Sequence, residues 1–462
     1  MTLLPPFDLV VRDSELLVTL AGDPIPGGWV AVSGGLVAGT GSVGTEPEAK
    51  EVLSARGGLI TPGLINAHHH IFQNLTRSYA PALGGGLFQW LTTLYPLWSR
   101  LDEEAAYVSA WIGLAELALG GCTTTSDHLY VHPCAGLIDA EISAAREVGL
   151  RFHPTRGSMS LSQEDGGLPP KSVVQTDDEI LADSERLIAK YHDPAPGAMC
   201  RIALGPCSPF SVTPRLMSES ASLAERRNVR LHTHLAEDRD ETKFCLQTFG
   251  RSPVEHFDDL GWNEGNAWVA HCIFPTEDEM ERLGLGKTAV AHCPSSNMLI
   301  GGSATPVTQL TAHGVVIGLG CDGSASTDHA SLWLEARTAL LLCRLRGGPT
   351  AMNAWDALRI ATTGSAACLG RSGELGELRA GAPADLVVWP VDGIAFAGAH
   401  TDLVEAWLRC GPVRARHTVV NGRVVVRQGE LNMPGLEDML GRHARISREW
   451  QGVVSCSRIS ES

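Results

Sequence analysis

Between residues 61 and 375 the chain alternates eight times between a short apolar run and a longer stretch of helical composition. The runs are "GLINAH", "CTTTSDH", "RFHPTRG", "RIALGPCS", "VRLHTHL", "AWVAHC", "TAVAHCP" and "VVIGLGCDG". Stretches such as "DEEAAYVSAWIGLAELALGG" and "TPRLMSESASLAERRN" lie between them. Strands that alternate with helices imply parallel βαβ units, because a parallel pair needs a crossover long enough to hold a helix. Eight such units predict an α/β fold closed as a (β/α)8 TIM barrel over residues 61–375. At 462 residues the chain is long enough for that barrel and an appendage.

The two ends read differently. Residues 1–60 hold short strands joined by Gly/Pro turns, among them "FDLVVR", "LLVTL" and "GWVAVSGGLVAGTG". The pattern returns in "ADLVVWPVDG" and "HTVVNGRVVVRQGEL", where Asn421-Gly422 between β-branched runs is a strong hairpin signal. Residues 1–60 and 376–462 are therefore expected to pair as one small β-sandwich domain.

In a barrel of this type the active site lies at the C-terminal ends of the strands, so polar residues just past each apolar run are the candidates. They are His68 and His70 on the first strand, His232 and His234 on the fifth with Glu237 beyond them, His271 on the sixth, His292 on the seventh and Asp322 on the eighth. In "NAHHH", residues i and i+2 share a face. His68 and His70 can both face the axis and meet one ion, whereas His69 faces the helix layer. A lone strand histidine is ordinarily a satisfied core residue. The HxH pair, a further strand-5 histidine and a strand-8 aspartate together point to a metal. Three nitrogens and a carboxylate suit Zn2+, with Fe2+ or Mn2+ as alternatives. A metal-bound water still needs a proton carrier, and Glu237, three residues past His234, is the candidate; its bland alternative is a solvated surface carboxylate.

Acidic residues outnumber basic ones, 52 to 36, for a formal charge of -16, which argues against binding a nucleic-acid backbone. No window reaches 18 uninterrupted apolar residues, so no membrane span is expected, and the N-terminus lacks the basic start of a signal peptide. Twelve cysteines without a CxxC pair read as reduced thiols in a cytoplasmic protein.

At these residues the chain resembles the amidohydrolase superfamily, in particular its cytosine/guanine/triazine aminohydrolase branch. The resemblance rests on "PGLINAHHH", "HTHLAE", the strand-6 "AHC" and "GLGCDGSAS", and spans about residues 59 to 425 in order. It implies His68, His70, His234 and Asp322 as metal ligands, Glu237 as acid/base, and His271 as an electrophilic or proton-shuttling histidine working with Asp322. It also implies one zinc rather than two, since "RIALGPCSPF" offers Cys207 and Ser208 where a bridging lysine would stand. A homo-oligomer is the common state in this branch.

Stretches such as "LFQWLTTLYPLW" and "AHCPSSNM" are most similar to 8-oxoguanine deaminases, which release ammonia from 8-oxoguanine to give urate. Triazine hydrolases and pterin deaminases share much of this framework, and a metal-free scaffold homologue is the remote alternative. The segment "GSASTDHA", with Thr327 and His329, departs from the deaminase pattern and puts the substrate in doubt. A flat heterocycle suits Gln73 and Arg156 as hydrogen-bonding groups and Trp90 as a stacking face. Each has a structural alternative: a loop amide, a salt bridge and core packing. Asp127, past strand 2, reads as a partner that orients a ligand.

Overall fold

The computed structural model describes residues 6–453. Eight parallel strands form the barrel: β1 (Leu64–Asn66), β2 (Cys122–Leu129), β3 (Arg151–Ser158), β4 (Ala203–Pro206), β5 (Arg230–Leu235), β6 (Ala267–His271), β7 (Ala289–His292) and β8 (Ile317–Leu319). Each pairs with its sequence neighbours, giving one continuous sheet. β2 and β3 are buried along their whole length, as expected where side chains fill the barrel on one face and helices cover the other. The ring closes where the Ala67 amide donates to the Leu319 carbonyl at 2.8 Å and the Asp322 amide to the His68 carbonyl at 3.1 Å. The Asn66 side chain reinforces that junction by accepting from the Cys321 amide at 2.9 Å.

The ends build two further sheets. One holds four strands of the first 60 residues. The other interleaves both ends, with Leu386–Trp389 antiparallel to Leu59–Pro62, and carries the Asn421-Gly422 hairpin. The sheets share an apolar core of side chains such as Leu9, Val30, Ile60, Leu386 and Val419. Buried contacts join this body to the barrel. Arg151 on β3 grips Asp385 through two 3.1 Å bonds. The Trp389 ring lies against Gly121, where a Cβ would stand 2.3 Å from it.

The last helix, Leu436–Gln451, leaves the sheets for the barrel. Ser447 Oγ and Gln451 Nε2 donate to the Leu75 carbonyl at 2.7 and 2.9 Å, holding the turn that follows His70. Among the described residues no helix is long and apolar enough to cross a membrane, and the cysteines are free.

Candidate metal centre and pocket

The polar ends of the barrel strands converge on one buried cluster. His68, His70, His128 and His234 offer nitrogens that lie within 4.8 Å of one another, and His68, His271 and Asp322 form a second such group. Asp322 Oδ1 is 3.4 Å from His68 Nε2 and 3.3 Å from His70 Nε2. Its Oδ2 accepts from the hydroxyls of Ser296 and Ser326. Burial opposes a charge on Asp322, but the neighbouring His68, His271 and His70 imidazoles outweigh it and hold the carboxyl well below its ordinary range.

Backbone carbonyls decide which imidazole nitrogen carries the hydrogen. His70 Nδ1 meets the His128 carbonyl at 2.6 Å, and His234 Nδ1 meets the Cys207 carbonyl at 2.7 Å. A carbonyl only accepts, so both Nδ1 atoms donate and both Nε2 atoms of the neutral rings are bare lone pairs. For His68 the relay is one ring longer. His232 Nδ1 donates to the Trp268 carbonyl at 2.9 Å, so its Nε2 accepts from His68 Nδ1 at 2.7 Å. His68 Nε2 is then bare as well, and it has no hydrogen-bond partner.

Burial pushes the His68 and His234 rings well below their ordinary pKa and lowers that of His70, so all three stay neutral. His70 Nε2 and His234 Nε2 nevertheless face each other at 3.0 Å. Three lone pairs and a carboxylate pointed at one spot repel one another unless a cation lies among them. The donor set fits a divalent metal of the zinc type.

Glu237 follows Ala236, whose φ of 51° is left-handed. Its amide and that of Ala236 donate to the buried Glu241 carboxyl at 2.7 and 3.1 Å, which fixes the turn. Glu237 Oε1 is 3.5 Å from His271 Nε2, and burial pushes its carboxyl well above the ordinary range, which suits a group that takes up and returns a proton. His271 (φ 70°), Cys272 (φ 48°) and Asp322 (φ 58°) also adopt the left-handed backbone that side chains seldom take. The strand ends that carry the cluster are therefore strained.

A cavity of about 30 Å3 opens above the cluster, bordered by Gln73, Trp90, Tyr130, Cys207 and Glu237. Gln73 donates to the Tyr130 hydroxyl at 3.2 Å, while its buried carbonyl oxygen has no partner. That oxygen sits 1.8 Å from where a Cβ on Gly323 would be, so a side chain at that position would push the Gln73 amide aside. Trp90 borders the cavity and donates from Nε1 to the Ala325 carbonyl at 3.3 Å.

Arg156 requires a correction. It does not border the cavity. Its guanidinium is buried against Asp183 (2.6 Å), Gln175 (2.7 Å) and the Gly157 carbonyl (2.5 Å), because strand alternation turns it away from the axis. Thr327, Asp328 and His329 do not border the cavity either. Asp328 accepts from Ser78 at 2.6 Å and His329 lies 3.4 Å from Glu335, so the departure in this loop serves its own packing. His69 stands outside the histidine cluster, buried, with both ring nitrogens unpartnered. Asp127 accepts from the Ile71 amide at 2.7 Å, next to His70.

His128 and Asn297 were given no role in the sequence reading, and His232 appeared there only as a strand-end candidate. His128 and His232 are on the inward face of β2 and β5, a position the i, i+2 rule applied to His68 and His70 also gives. Asn297 lies past β7 and accepts from His271 Nδ1 at 2.8 Å. The signal for it was a polar "SSN" at a strand's C-terminal end.

The comparisons agree with this geometry. The chain is 46% identical to 8-oxoguanine deaminase from Pseudomonas aeruginosa, over 94% of this chain and 97% of that protein. It is 37% identical to hydroxydechloroatrazine ethylaminohydrolase from Pseudomonas sp. (strain ADP), over 95% and 89%. The crystal structure of atrazine chlorohydrolase from Arthrobacter aurescens TC1, complexed with zinc, superposes with a TM-score of 0.91 at 30% identity, covering 95% of this chain and 100% of that one. Residues 59–425 match the model of the amidohydrolase family, and the chain belongs to that family.

Proposed function

We propose that the chain is a metal-dependent hydrolytic deaminase that removes a ring amino group from a nitrogen heterocycle, with 8-oxoguanine as substrate and urate and ammonia as products. One observation carries the reaction class: three hydrogen-free imidazole nitrogens and a carboxylate converge beside a second, buried carboxyl, that of Glu237. The 46% identity along nearly the whole of both chains supports the substrate. The unpartnered Gln73 oxygen also supports it, since it can accept from a ring N–H.

His68, His70, His234 and Asp322 would hold one zinc, and Fe2+ or Mn2+ suit the same donors. When bound, the ion lowers the pKa of a water so that hydroxide is available near neutral pH. Glu237 moves the proton from the attacking water to the departing amine. A C–O bond forms at the amidine-like ring carbon while the adjacent ring nitrogen takes up one proton of the water. The other proton goes to the amine, the C–N bond breaks, the carbon becomes a ring carbonyl and the nitrogen departs as NH3. His271, through Nε2, shares that proton traffic with Asp322. Trp90 covers one face of the ring. A homo-oligomer and a cytoplasmic location belong to the same proposal, the latter supported by the free cysteines.

Side-by-side assay of 8-oxoguanine, isoxanthopterin and hydroxyatrazine, reading ammonia and ethylamine, tests it. Ammonia from 8-oxoguanine is the expected result. Turnover of only one of the others overturns the substrate and leaves the reaction class standing; no amine from any of the three overturns both.

A further inference from the structure

Two buried polar side chains beyond β7, those of Asn297 and Thr305, form a closed circuit with His271. His271 Nδ1 lies 2.8 Å from Asn297 Oδ1, and Asn297 Nδ2 donates to Thr305 Oγ1 at 2.9 Å. Thr305 Oγ1 donates in turn to the His271 carbonyl at 2.6 Å. A fourth residue joins at the hydroxyl, since His292 Nδ1 is 2.9 Å from Thr305 Oγ1. Asn297, Thr305 and His292 are 1%, 3% and 1% exposed, so no solvent competes for these bonds.

A hydroxyl has one hydrogen and two lone pairs. Thr305 commits its hydrogen to the His271 carbonyl and its lone pairs to Asn297 and His292. The Asn297 amide can then be oriented in only one way, with its nitrogen toward Thr305 and its oxygen toward His271. A flipped amide would set its oxygen against a hydroxyl whose hydrogen is already used. An amide oxygen opposite His271 Nδ1 requires a hydrogen there.

We propose that Asn297, oriented by Thr305, is the positioning residue that fixes the hydrogen of neutral His271 on Nδ1, so that Nε2 alone exchanges a proton. The inference rests on the reading that His271 shares in proton transfer. His271 Nε2 has no hydrogen-bond partner and faces Glu237 Oε1 at 3.5 Å, on the cavity side. In the other tautomer the hydrogen would occupy Nε2 permanently, and the ring could not accept a proton on that side. The same circuit holds the His271 carbonyl, which counteracts the left-handed φ of 70°.

The test compares zinc-loaded wild type with Asn297→Leu, Thr305→Val and Thr305→Ser. We expect Asn297→Leu and Thr305→Val to lower kcat by about 100-fold, the scale of misplaced acid–base catalysis. KM should stay within about threefold and zinc content should remain at one equivalent. Thr305→Ser keeps the hydroxyl and should fall within about twofold of wild type. The 15N spectrum of histidine-labelled protein, with His271 assigned by loss of its signal in His271→Gln, should show Nδ1 protonated in wild type and mixed tautomers in Asn297→Leu.

Wild-type kcat in both Asn297→Leu and Thr305→Val, or hydrogen on Nε2 in the wild type, overturns the inference. Should Asn297→Leu fail to fold, Thr305→Val against Thr305→Ser carries the same comparison. If no heterocycle is turned over yet the spectra behave as expected, the functional reading fails and the positioning role stands.

Discussion

The floor and the roof of the pocket are built on opposite principles. The floor is polar and stands on strand ends, with the second nitrogen of each proposed ligand ring answered by a backbone carbonyl or by another ring that is. The roof is apolar and belongs to the helix Leu87–Trp98, whose N-cap is Gly86 and which has no side-chain cap. Gly84, Gly85 and Gly86 precede it, Gly84 with a φ of 90°. Atoms that must be placed within a fraction of an ångström are on the sheet, and those that must let a substrate pass are on a segment with a glycine approach. The cavity lies between the two, bordered below by His70, His234 and Asp322 and above by Leu87, Trp90 and Leu91.

His234→Ala should break the floor outright. Metal should fall well below one equivalent by elemental analysis, and turnover should drop by about 1000-fold or more. Glu237→Gln separates holding the metal from moving the proton: metal stays at one equivalent while kcat falls by about 100- to 10,000-fold. At the roof, Trp90→Leu should leave metal content alone and raise KM by about tenfold, the loss of one aromatic contact. A loss of metal in that variant would show that floor and roof are not separable.

Two milder changes sharpen the contrast from outside the pocket. Arg156→Met should cost about 1–3 kcal/mol in chemical denaturation with KM unchanged, because it removes a buried ion pair rather than a substrate contact. Glu335, beneath the floor, accepts from the Ser295 amide at 3.0 Å, and burial pushes its carboxyl up to about 8. The unfolded chain gives up that proton near the ordinary value, so between about pH 4.5 and 8 the unfolded state binds fewer protons and stability falls as pH rises. Glu335→Gln should flatten the fall in Tm between pH 5.5 and 8.

The barrel was legible because hydrophobic period and segment length report directly on βαβ units. His68, His70, His234 and Asp322 were legible because strand alternation and strand ends restrict where a metal can sit. Arg156 was misplaced because alternation fixes a face only once the strand's register is known, and "RFHPTRG" admits either. Asn297 and Thr305 were invisible for another reason. They reach His271 from the short helix Pro294–Leu299 and the loop that follows it, and no periodicity predicts where such a connection folds back. The segment around Thr327 looked like a specificity loop from its position alone, whereas its polar contacts go to Ser78 and Glu335 rather than into the cavity.

The junction between β1 and β8 has a consequence for how the molecule acquires its centre. The Asn66 side chain and the Cys321 amide meet across a separation of 255 residues, beside His68 at one end and Asp322 at the other. Contacts of such long range form late, since the entropy of closing the intervening chain must be met before they contribute. The four proposed ligands therefore come together only when the last gap in the ring shuts. A metal that binds them favours the closed ring over every open one, and its affinity adds directly to the free energy that keeps the first and last strands joined. A chelator would thus loosen the barrel first along this line, while the pairing of β2 through β7 stays intact.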